Sequence, residues 1–200
     1  MAIKIGLLGG SFDPVHLAHI DLAEAAWQAL ELDKVELIPA ADPWQRRPLA
    51  ASAPHRLAML EIAIRRRPRL AVNDVEIRRG GKTYTVDTLR QLPRGPEYYW
   101  ILGSDQLVNF CSWHDWQEVS RLAWLAVAQR PGSTLEPPPA LQTHLETLGR
   151  RLAILPFKPQ TISSTQVRER LATGQSTSGM LDAEVAEYIR RHGLYSTADV

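Results

Sequence analysis

The chain carries a single cysteine, Cys111, in 200 residues. That excludes an internal disulfide and suits a reducing compartment. An excess of charge of one sign is also missing. The formal net charge is +1, so nothing in the balance points to nucleic acid or to a membrane surface as partner. No apolar run reaches the roughly 20 residues of a membrane span, and the first strand-like run starts so early that a signal peptide has no room before it. The expected location is the cytoplasm. No G-x-x-x-x-G-K-[ST] and no G-x-G-x-x-G occurs, which removes the P-loop and the dinucleotide fingerprint. Internal repeats and low-complexity tracts are absent too. Hydrophobic residues at 44% and charged residues at 22% remain, an ordinary globular composition. This length suits one α/β domain over 1–200, with a helical C-terminal part from about 162 to 200.

The most informative stretch runs Gly9-Gly10-Ser11-Phe12-Asp13-Pro14-Val15-His16-Leu17-Ala18-His19. Ile3 to Leu8 before it read as a buried parallel strand, and Leu17, Ile20, Ala23, Trp27 and Leu30 after it fall on one side of a helix. Glycines at such a junction let backbone N–H groups approach an anion, and the helix N-terminus adds its positive dipole. His16 and His19 share a face of the first turn, so the junction reads as a phosphate-handling site with two donors. The same pair could instead be structural. Zinc ligation lacks a third clustered ligand, and Cys111 lies far off in sequence.

Strand-like runs recur at about 2–8, 35–39, 70–76, 98–102, 124–128 and 151–156, alternating with helices or loops. The alternation predicts a doubly wound, mostly parallel sheet with helices on both faces. Such a sheet gathers the loops after its strands on one edge. Ser52-Ala53-Pro54 opens a helix from which Met59, Leu60 and Ala63 pack. Pro137-Pro138-Pro139 punctuates a loop, and Leu181 to His192 is a terminal amphipathic helix stopped by Gly193. The basic runs Arg65-Arg66-Arg67, Arg78-Arg79 and Arg190-Arg191 read as solvated ends of elements. In Ile162-Ser163-Ser164-Thr165-Gln166-Val167-Arg168, Ser163 and Gln166 have capping-box spacing, which marks a second helix N-terminus with Arg168 one turn inside.

The first stretch resembles the G-[GS]-x-F-x-P-x-H-x-G-H signature of the HxGH nucleotidyltransferases, with Ala18 where that family usually has glycine. The second resembles their I-S-S-T-x-x-R segment. Over nearly its whole length the chain is similar to the bacterial nicotinate-nucleotide adenylyltransferases within that family. The residues carrying this are Tyr84 to Leu89, Ile101 to Asp105, Trp113 to Trp116, Arg130-Pro131-Gly132 and the ending from Tyr188 to Tyr195. Where many members have Pro-Pro-His and a basic residue, Pro43-Trp44-Gln45-Arg46 stands here.

The resemblance implies a Rossmann-like fold and transfer of AMP from ATP to nicotinate mononucleotide, giving deamido-NAD and pyrophosphate. It implies His19 and His16 as the catalytic pair. ATP would be met by Gly9, Gly10, Ser11, Phe12, His16, His19, Gly103, Asp105, Ile162, Ser163, Ser164, Thr165 and Arg168. The mononucleotide would be met by Ser11, Arg46, Thr85 and Trp116. The alternative reading of Trp116 is a core residue, and that of Asp105 is a helix cap. Mg²⁺ is expected with the ATP, held by few protein ligands. The partners implied are small molecules only; a homo-oligomer is compatible with the sequence and not specified by it. The alternatives are an enzyme acting on nicotinamide mononucleotide or pantetheine phosphate, and a non-catalytic nucleotide sensor on the same fold.

Overall fold

The computed structural model describes residues 2–42, 49–129, 135–157 and 160–196. Its strands are β1 (Lys4–Gly10), β2 (Lys34–Pro39), β3 (Leu70–Val72), β4 (Glu97–Gly103), β5 (Trp124–Gln129) and β6 (Ala153–Pro156). The helices are α1 (Leu17–Ala29), α2 (Ala53–Ile64), α3 (Val75–Arg79), α4 (Thr85–Gln91), α5 (Ser104–Val108), α6 (Trp116–Leu122), α7 (Pro139–Thr147), α8 (Ser164–Ala172) and α9 (Ala183–Arg191). The strands form one sheet in the order β3-β2-β1-β4-β5-β6, and every pairing is parallel. This is the doubly wound Rossmann-like arrangement, and its order reverses between β1 and β4.

Successive strand residues face opposite sides of the sheet, and the two cores follow that alternation. Leu8, Leu37, Ile101 and Ala126 pack with Ile20 of α1, Met59 and Leu60 of α2, Val167 of α8 and Ile189 of α9. Leu7, Ile38, Leu102 and Val127 pack on the other face with Val86 of α4, Leu107 of α5, Val119 of α6 and Leu141 of α7. Helices therefore cover both faces, and α8 and α9 belong to the first core rather than to a separate layer.

All six expected strands form; β1 runs two residues later than expected at both ends, β6 starts two residues later, and β3 is shorter. β3 stops at Val72 because the Asn73 side chain accepts from the Val75 N–H at 3.1 Å and opens α3 instead. The proline run does more than punctuate a loop: Pro138 is the N-cap of α7 and Pro139 its first residue, where a missing N–H costs nothing. Ser52 precedes α2 as expected, although its side chain makes no capping hydrogen bond. α9, shorter than the expected 181–192, is capped by Asp182, which accepts from the Glu184 N–H at 2.8 Å, and Gly193 with φ of 61° follows its end. Of the basic runs, Arg65 and Arg66 pair with Glu184, and Arg190 and Arg191 with Glu187, all at the surface. No helix of the described residues is long and apolar enough to cross a membrane.

Candidate active site

A cavity of about 740 Å³ opens at the carboxyl edge of the sheet, beside the switch point between β1 and β4. Ser11, Asp13, His16 and His19 line it from the first signature, and Ile162, Ser163, Ser164, Thr165 and Arg168 from the second. Gly103 and Asp105 close it from the end of β4, and Leu49 from the loop before α2. Two helix N-termini some 150 residues apart thus face one space, as a polyanion site requires.

The first signature makes its turn by packing. A Cβ on Gly9 would stand 2.8 Å from the Trp100 ring, and one on Gly10 would stand 3.1 Å from the Phe12 ring. Phe12 is fully buried with φ of 47°, a left-handed value that a phenylalanine adopts only under constraint. Here Gly9 and Gly10 admit two aromatic rings, and neither they nor Phe12 line the cavity. Ala18, in the first turn of α1, has no positive φ, so the methyl group in the usual glycine position is accommodated without strain.

His16 is the N-cap of α1 and His19 its third residue. The rings stack at 3.7 Å, and His19 Nδ1 accepts from the His16 backbone N–H at 3.2 Å. That bond puts the proton of neutral His19 on Nε2. His16 is buried, and burial pushes its pKa down to about 4, so it is uncharged at neutral pH. Its Nδ1 has no hydrogen-bond partner among the described residues.

Asp13 joins the remote parts of the site. Its buried carboxylate accepts from Ala50 N–H at 2.7 Å, from Ala51 N–H at 3.0 Å and from the Tyr195 hydroxyl at 2.7 Å. Its own carbonyl accepts from Arg168 at 2.7 Å, and the Ser11 carbonyl accepts from buried Arg56 at 2.8 Å. Ser164 Oγ donates to the Pro14 carbonyl at 3.0 Å, and Ser163 Oγ caps α8 by accepting from Gln166 N–H at 3.2 Å. Arg168 therefore spends one arm of its guanidinium on the first signature and a second on Thr165 Oγ1 at 3.3 Å. Nothing in the sequence marked Arg56 or Leu49 for this place, and Tyr195 stood out only as part of the C-terminal segment that carries the resemblance. The partners of Asp13 lie 37 to 182 residues away, a separation no local pattern encodes.

Thr85 and Trp116 lie apart from this cavity. Each is the first residue of a short helix, α4 and α6, on the second face of the sheet. The two segments meet: the Tyr84 ring is 4.8 Å from His114, and Arg90 pairs with Asp115 at 3.1 Å. Thr83 Oγ1 accepts from Ala41 N–H at 3.2 Å, which ties this pair to the end of β2. Trp116 is half-buried, edge-on to Phe110 at 6.2 Å and to His144 at 5.2 Å, so much of its ring serves the second core. Arg46, with Gln45 beside it, and Arg130-Pro131-Gly132 lie outside the described residues.

A family model described as cytidylyltransferase-like matches residues 7–170, the span that holds both signatures. The chain belongs to the cytidylyltransferase-like family. Among curated relatives, the "Probable nicotinate-nucleotide adenylyltransferase" of Bordetella pertussis is 59% identical over 192 residues, covering 96% of this chain and 98% of the relative. One of the same name from Dehalococcoides mccartyi is 39% identical over 200 residues, covering 98% of each. Among solved structures, nicotinic acid mononucleotide adenylyltransferase of Plasmodium falciparum complexed with NaAD superposes with a TM-score of 0.76 at 19% identity, covering 96% of this chain and 97% of that one. At that identity the likeness speaks for the fold, which this cytidylyltransferase-like chain shares almost end to end.

Proposed function

We propose that the protein is a nicotinate-nucleotide adenylyltransferase, acting as a single nucleotidyltransferase unit in the cytoplasm. It transfers AMP from ATP to the 5′-phosphate of nicotinate mononucleotide. The observation that carries this reading is the cavity shared by His16, His19 and the α8 N-terminus, in a chain whose full-length relatives bear that name.

An oxygen of the mononucleotide phosphate attacks the α-phosphorus of ATP. The new P–O bond forms as the bond from the α-phosphorus to the oxygen bridging to the β-phosphorus breaks, and pyrophosphate leaves. The nucleophile is ionised at neutral pH, so no general base is needed. Alignment of two anions and stabilisation of charge on the α-phosphoryl oxygens must supply the rate. His19, with its proton on Nε2, suits donation to such an oxygen. Buried neutral His16 acts as a polar partner rather than as a cation. Ser163, Ser164, Thr165 and Arg168 at the α8 N-terminus suit the β- and γ-phosphates, while Gly103 and Asp105 suit the nucleoside.

The site fits Mg²⁺ bound mainly by phosphate and water. Among the described residues no group of three acidic, histidine or cysteine side chains could hold a metal alone. Of the two carboxylates lining the cavity, Asp13 is committed to Ala50, Ala51 and Tyr195, so the ion would be held chiefly by the phosphates and water. When bound, the ion neutralises polyphosphate charge.

The acceptor is assigned to the segments carrying Thr85 and Trp116. Backbone N–H groups at the start of α4 accommodate the nicotinate carboxylate, whereas an amide in its place leaves its NH₂ poorly paired. A mismatch of that kind costs about 1–3 kcal/mol, roughly one to two orders of magnitude in kcat/KM. Pyrophosphate release at saturating Mg-ATP, compared for nicotinate mononucleotide, nicotinamide mononucleotide and phosphopantetheine, tests the reading. Nicotinate mononucleotide should lead. Parity with the amide overturns the acceptor assignment, and silence with every acceptor indicates a nucleotide sensor.

A further inference from the structure

Three carbonyl oxygens of the first signature are held by side chains from elsewhere in the chain. Those of Ser11, Asp13 and Pro14 accept from Arg56, Arg168 and Ser164 respectively. In a trans peptide unit the C=O and the following N–H point in opposite directions. Drawing the Ser11 and Pro14 carbonyls toward these side chains therefore turns the N–H groups of Phe12 and Val15 the other way. The same turn carries Ser11, Asp13 and His16 into the cavity.

The setting of that turn depends on Asp13, and Asp13 depends on a residue far along the chain. Tyr195 is buried, has φ of 61°, and donates its hydroxyl to Asp13 Oδ1 at 2.7 Å. It lies past the end of the family match at residue 170 and belongs to neither signature. Without this donor, Oδ1 would keep, among the described residues, the Ala51 N–H alone, in a position buried from solvent. Burial and the neighbouring carboxylate push the Tyr195 phenol up, so it remains a donor across the working pH range.

We propose that Tyr195 and Asp13 are positioning residues for nucleotidyl transfer, the Tyr195 hydroxyl fixing the Asp13 carboxylate and through it the turn that presents Ser11 and His16 to the phosphates. This rests on the adenylyltransferase reading for its kinetic consequence and on geometry alone for the contact. A tyrosine that merely filled space would be replaced by phenylalanine without kinetic effect, because the ring and its packing stay.

Tyr195→Phe in the full chain tests the proposal by two measurements. Hydrogen exchange followed by mass spectrometry should show amides of residues 9–16 exchanging about tenfold faster, with β4 unchanged. Steady-state assays well below the melting transition should show kcat lower by about ten- to a hundredfold, since small misplacements at a reacting centre have effects of that size. The KM for ATP should change less than kcat, because the α8 N-terminus is still capped by its own Ser163. Unaltered exchange over 9–16, or a kcat that falls only with the unfolded fraction, overturns the proposal. If wild type does not turn over nicotinate mononucleotide, the functional reading fails by itself and the exchange measurement decides the positioning role. Should Tyr195→Phe prove too unstable to assay, Ala51→Pro, which deletes another donor to the same Oδ1, should reproduce the faster exchange.

Discussion

His19 has its Nδ1 occupied by a backbone N–H and its ring stacked on His16, so little freedom remains for Nε2. A donor fixed in advance acts mainly in the transition state. His19→Ala is therefore expected to lower kcat by about a hundred- to a thousandfold while ATP affinity changes much less. Turnover close to wild type, with ATP binding measured by calorimetry, would remove that role. Arg168 reads differently now that its arms are seen on the Asp13 carbonyl and Thr165. A lysine could replace the charge but not both bonds at once. Arg168→Lys should raise the KM for ATP by roughly tenfold and also lower kcat, because the first signature loses one of its anchors. A variant that altered the KM for ATP alone would show that the bond to Asp13 carries no catalytic weight.

At the level of strands and helices, much of the site was legible because parallel α/β folds advertise their order. Buried strands read as apolar runs, and the loops that follow them collect at one edge, so six runs and two signatures sufficed to expect a composite site. Short elements were less visible. α3 and α5 have five residues each, too few to show a helical period, and α7 begins inside a proline run. The glycine pair was legible as a junction but not for its cause, since Trp100 comes from β4 and packs on Gly9 only in three dimensions. Gly9→Ala should therefore act through the β1–β4 packing. It is expected to destabilise by about 1–3 kcal/mol, as overpacking of a close core contact does. Urea unfolding measures this, and an unchanged midpoint would mean that Trp100 can yield at no cost.

Over the whole molecule, two buried groups pull stability in opposite directions with pH. Glu76 on α3 is buried against the Thr88 hydroxyl at 2.6 Å, and burial pushes its pKa up to about 7 from 4.5. Between those values it is protonated in the fold and ionised in the unfolded chain, so its contribution is complete at low pH and lost as pH rises toward 7. His16, with a pKa of about 4 against 6.5, is neutral in the fold while the unfolded chain takes up a proton. Its contribution is complete above 6.5 and lost as pH falls toward 4. The two slopes oppose each other across about pH 4.5 to 6.5. Glu76→Gln keeps an acceptor for Thr88 and removes one slope. Relative to this variant, wild type should lose roughly 3 kcal/mol between pH 4.5 and 7. A difference that stays constant with pH would show that Glu76 titrates normally.

The bond between Tyr195 and Asp13 spans 182 residues of chain. Proteins emerge from the ribosome N-terminus first, at about 5–20 residues per second. Asp13 is therefore made roughly ten to forty seconds before the residue that fixes it. During that interval all six strands can pair, and a nascent chain can carry the whole sheet while its phosphate-handling turn is still unset. Competence for catalysis arrives as a late event in synthesis, well after the architecture that supports it.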